Sequence, residues 1–129
     1  MATISGADAI RCRDFMKEIF QNARSIIELY GPNNAINALP IQSGLFEEAI
    51  CNLRNFKEFI TELRQKLFDK QDFAKMIDLD IIIGIIQNCE VKALAYLERK
   101  EVTTASRFAL KLTKTLSMIS GVLINFYEN

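Results

Sequence analysis

Apolar residues return at three- and four-residue steps through four stretches of the chain, and each stretch is closed off by turn-forming or charged residues. That step is the period of an amphipathic helix. The first stretch holds Ile10, Phe15, Met16, Ile19, Phe20, Ala23, Ile26, Ile27 and Tyr30. Ser5 or Asp8 is placed to cap its start, and Gly31-Pro32 to stop it, which predicts a helix over about 7–30. The second holds Phe46, Ala49, Ile50, Leu53, Phe56, Ile60, Leu63 and Leu67, with polar residues opposite, and predicts a surface-facing helix over about 44–68. Ser43-Gly44 opens it, Glu47 and Glu48 suit the positive end of its dipole, and Glu62 stands four residues ahead of Lys66.

The third stretch organises the rest. Leu79, Ile82, Ile83, Ile86, Ala93 and Leu97 fall on one helical face. Ile81 and Ile85 widen that face until only Asp80, Gly84, Gln87, Asn88 and Lys92 form a polar strip. A helix apolar over most of its girth needs neighbours on more than one side. The same β-branched run could form a buried strand, but no second strand exists for it to pair with. The helix is expected over about 78–99, with Asp78 as a fresh cap. Asp72 either caps a separate short helix near 72–77 or starts one unbroken helix from there. The fourth stretch, capped by Thr103 or Thr104, sets Ala105, Phe108, Ala109, Leu112, Leu116, Ile119, Leu123 and Phe126 on a helix over about 104–127, with Leu110, Met118 and Val122 off its stripe. A shorter helical turn near 33–39, ended by Pro40, is expected to pack over one end or to stand as a flap beside a pocket.

Four helices of similar length, with short connections between the later ones, predict an all-α, single-domain, antiparallel four-helix bundle. A short extra helical segment is expected between its first two long helices. The chain's 129 residues leave room for one core. Sixteen basic and sixteen acidic residues cancel, and no basic stripe appears, so nucleic acid is not expected as a partner. No signal-like leader or membrane span is read, which points to an intracellular, soluble protein.

Chemistry is scarce. The chain has no histidine, which removes the commonest general base and metal ligand and every Ser-His-Asp or Cys-His arrangement. Cys12, Cys51 and Cys89 are far apart and lack metal-ligand spacing, so they read as three buried thiols. Cys12, between Arg11 and Arg13, is the nearest approach to an activated one. Glu47-Glu48 resembles the start of the Glu-Glu-x-x-Glu run that holds magnesium in all-helical nucleotide pyrophosphohydrolases. Cys51 replaces its third acid, and no later Glu-x-x-Asp follows. Asp78 and Asp80 are the other acids that could converge there, but helix-start acids ordinarily serve caps and dipoles. No cofactor, metal or catalytic residue is assigned, and no enzyme activity is expected.

What remains is surplus apolar surface. Ile81, Ile85, Met118 and Val122 lie beside the bundle stripes and are the candidate partner interface. The expected function is a non-enzymatic adaptor that engages a partner helix or associates with itself through this flank. The alternative is a bundle whose flanks part to hold a lipid or other apolar ligand, or that lies on a membrane surface.

Overall fold

The computed structural model describes residues 6–30, 43–99 and 102–128. They form four helices, α1 (Gly6–Tyr30), α2 (Ser43–Asp69), α3 (Phe73–Arg99) and α4 (Val102–Glu128), and the described residues contain no strand. At 1.5 Å per residue each helix is about 40 Å long. The neighbouring pairs are α1 with α2, α2 with α3, α3 with α4, and α4 with α1, so the helices stand at the corners of a square. Cross-ties fix the direction of each pair. Lys66, late in α2, pairs with Asp8, early in α1, while Asn52 reaches Asn22 further along. Tyr96 lies beside Phe108 at one end of the α3–α4 pair, and Lys75 lies over Phe126 at the other. Neighbours therefore run antiparallel, and the chain is an antiparallel four-helix bundle.

The apolar stripes of α2 and α4 hold residue for residue. Every member anticipated on those two helices is buried, with Phe59 added on α2. On α3 the buried line is Met76, Leu79, Ile82, Ile86, Cys89 and Ala93, with Ile83 and Leu97 partly buried beside it. At the end of the bundle where α4 begins, Phe46 and Phe108 meet across the diagonal at a centroid distance of 4.7 Å. Tyr96 adds a third ring 6.0 Å from Phe108, so three helices share one aromatic contact.

Three expectations change. The stripe of α1 is rotated: Cys12, Ile19, Ala23 and Ile26 are buried, whereas Ile10, Phe20 and Ile27 stand exposed. Apolar residues spread around more of this helix than two neighbours can cover, and the buried Asn22, donated to by Asn52 Nδ2 at 2.7 Å, takes a core position. Second, no separate 72–77 helix exists and Asp78 caps nothing; α3 runs unbroken from Phe73. Third, α1 begins at Gly6 and α4 at Val102, so Asp8, Thr103 and Thr104 lie inside their helices rather than before them. The anticipated segment near 33–39, the stop at Gly31-Pro32 and the cap at Ser5 fall outside the described residues.

The join between α2 and α3 explains why α3 starts where it does. The Gln71 amide donates to the Phe68 carbonyl at 2.9 Å and the Asp72 amide to the Leu67 carbonyl at 2.9 Å. This paired pattern is the Schellman ending, which satisfies carbonyls that the last helical turn leaves open. Asp72 then caps α3: its carboxylate accepts from the Lys75 amide at 3.3 Å, and its carbonyl from the Met76 amide at 3.2 Å. One residue ends a helix and begins the next. The geometry places Gln71 at φ 60°, in the left-handed region where glycine is normally found. Gln71→Gly is expected to stabilise the fold by about 1 kcal/mol, the relieved strain outweighing the looser unfolded chain. Chemical denaturation checks this; a loss of stability would show that the Gln71 side chain supports the turn.

Candidate binding grooves

The expected interface residues sit on one seam. Ile81 and Ile85 are four apart on α3, and Met118 and Val122 four apart on α4, so each pair lies along one flank of its helix. Cys89, four residues beyond Ile85, is beside Thr115 and near Lys111 on α4, and Thr115 is three residues before Met118. Both flanks therefore border the α3–α4 seam. Counting from the cross-ties at Tyr96–Phe108 and Lys75–Phe126 brings them to the same level along it. Ile85 and Val122 are half-buried and packed against the core, whereas Ile81 is 47% and Met118 53% exposed. The four form a short apolar strip with a covered floor and two uncovered edges.

A second groove lies between α1 and α4, with a volume of about 730 Å³. Its apolar walls are Ala9, Met16 and Phe20 on one side and Leu116 and Leu123 on the other, with Cys12 at its base and Ser120 opposite. Arg13 and Lys17 complete the α1 wall, and no carboxylate lines it. Sequence reading missed this groove because it placed Met16 and Phe20 in the buried stripe. The available signal was Ala9, Arg13, Met16, Lys17 and Phe20 recurring at helical spacing beside an already complete core line.

The seams of α2 carry charged and polar ties. Arg54 and Lys57 converge on Glu90 at 3.3 and 3.2 Å, and Arg64 pairs with Asp80, all across α2 and α3. Lys66 and Asp8 (3.2 Å), Asn52 and Asn22, and Arg11 over the Phe59 ring tie α2 to α1. Lys66 thus turns to α1 rather than to Glu62. Among the described residues, none of those lining the α1–α4 groove forms a hydrogen bond or ion pair across it.

The thiols offer no nucleophile in the core. Burial pushes the Cys12 thiol up to about 11, despite its two arginine neighbours in sequence, because adjacent helical residues point to different faces. Burial also raises Cys89, against the smaller opposing pull of the Thr115 hydroxyl and the Lys111 ammonium. Both stay protonated at neutral pH. Cys51 is exposed rather than buried, and it accepts from Asn55 Nδ2 at 3.7 Å.

The acids do not converge. Glu47 and Glu48 lie at the start of α2, while Asp78 and Asp80 lie near Arg64, about 25 Å further along that helix. Among the described residues no group of three or more potential metal ligands forms, and no described helix is long and apolar enough to cross a membrane. Comparison with family models, curated proteins and solved structures gives no match for the chain.

Proposed function

We propose that the chain is a non-enzymatic interaction module, a helical bundle that engages a partner helix or a second copy of itself through an apolar flank. The observation that supports this reading is the α3–α4 strip. Ile81, Ile85, Met118 and Val122 come from separate parts of the sequence and gather at one level of one seam, where two of them remain about half exposed. Scattered surface leucines and isoleucines are ordinary in small proteins, whereas apolar side chains gathered across two rigid helices offer a footing for a third. A strip with a half-buried floor also costs little entropy to order on binding, because its side chains are already held.

Size-exclusion chromatography with light scattering tests the self-associating form of the reading, and affinity capture from the native host tests the partner form. Ile81→Glu with Met118→Glu is expected to abolish either association while leaving the helical circular dichroism intact. Association that survives both substitutions would place the interface elsewhere. A lipid co-purifying in native mass spectrometry, and lost from this variant, would move the function to apolar-ligand binding.

A further inference from the structure

We infer that the α1–α4 groove is the seat of an acidic amphipathic helix carried by a partner protein. This site is separate from the α3–α4 strip and does not depend on it. The groove runs between two antiparallel helices, so a third rod laid along it meets both walls at ordinary helix-packing distance. Ala9 and Phe20 are eleven residues apart, so the lined stretch of α1 is about 16 Å long, three turns of an incoming helix. Phe20, half exposed on the α1 wall, is the natural anchor, because large aromatic side chains dominate binding at such surfaces.

Charge selects the occupant. Arg13 and Lys17 are one turn apart on the same wall and have no ion pair among the described residues. The α4 wall, Leu116, Ser120 and Leu123, is uncharged and supplies no acid to the groove. The groove therefore presents apolar walls with two cations along one of them, and nothing in its lining answers those cations. A helix with an apolar stripe and carboxylates at i and i+4 on its flank meets Arg13 and Lys17 in register. A basic or neutral helix would bury the same stripe while leaving both cations without a counter-charge.

The test uses the full chain and a displayed library of 18-residue amphipathic helices with a fixed leucine stripe and randomised flanks. Enriched sequences are expected to carry Glu or Asp on the flank. They should bind the double variant Arg13→Glu/Lys17→Glu at least about tenfold more weakly, and lysine-flanked versions should bind that variant better than the wild type. Both positions are exposed, so the variant should keep its fold, which circular dichroism verifies. Phe20→Ser supplies a second, charge-neutral variant, expected to weaken the same peptides by a similar factor. Enrichment of neutral or basic flanks, no enrichment at all, or equal binding to wild type and charge-reversed protein would each overturn the inference. So would displacement of the selected peptides by submicellar oleate with equal affinity for both proteins, which would make the groove an acyl-chain site. Peptides that keep their affinity for the groove variants but lose it with Ile81→Glu would assign the acidic helix to the α3–α4 strip instead.

Discussion

Phe108→Ala is expected to lower the unfolding free energy by about 3–5 kcal/mol, among the largest effects of any single truncation in this chain. Phe108 is fully buried, and its ring touches Phe46 of α2 at 4.7 Å and Tyr96 of α3 at 6.0 Å. Removing it opens a hole bounded by two other aromatic side chains on two other helices. Rigid rings on separate rods cannot all move inward to fill such a hole, so the cavity contribution adds to the lost transfer energy. A domain of this size has a total stability of about 5–15 kcal/mol, so the variant keeps only part of it. Urea titration and thermal melting measure the change, and a melting temperature lowered by less than about 4 °C would show that the aromatic cluster collapses onto itself.

Adjacent isoleucines on α3 give the second large effect. Ile82→Glu is expected to abolish cooperative folding, and Ile81→Glu to change stability by less than about 1 kcal/mol. Ile82 is fully buried in the core line, where a carboxylate would lose its water and find no counter-charge, a cost of several kcal/mol even after it takes up a proton. Ile81 is rotated by one helical step onto the edge of the α3–α4 strip and is nearly half exposed, so its replacement leaves the core untouched. Circular dichroism with urea titration of the two variants reads this difference. Equal damage from both would mean that α3 is packed all round and that the strip is covered.

Much of this fold was legible in the periodicity, and where it was not the reason is specific. On α2 and α4 the stripe recurs without a break over the whole helix and outweighs the few apolar residues outside it, so one rotation buries the set, and that rotation is observed. On α1 the apolar residues Ile10, Phe20 and Ile27 compete with Cys12 and Asn22 for the inward face. Period alone does not choose between them, and the helix settles with Asn22 turned inward, where it accepts from Asn52 on another helix. The start of α3 was ambiguous for a related reason. Asp72 and Asp78 are equally good caps as residues, and what distinguishes them is the Schellman ending just before Asp72, a feature of backbone geometry. The α3–α4 strip could be read from sequence because its members are surplus to two clear stripes. The α1–α4 groove could not, because it is bounded by the first and last helices of the bundle and its walls were assigned to the core.

The tight corner at Gln71 and Asp72 also bears on the order in which the chain assembles. It leaves two residues, Lys70 and Gln71, between the end of α2 and the residue that starts α3, so the two rods need almost no search to find each other. The connection from α1 to α2 is several times longer, and the contacts of α1 with α4 join the two extremes of the sequence. The join from α3 to α4 is as short, so early structure is concentrated among α2, α3 and α4, with the first helix settling last. The helix that forms one wall of the α1–α4 groove is thus also the last to be held in place, and it closes the core with Cys12, Ile19, Ala23 and Ile26.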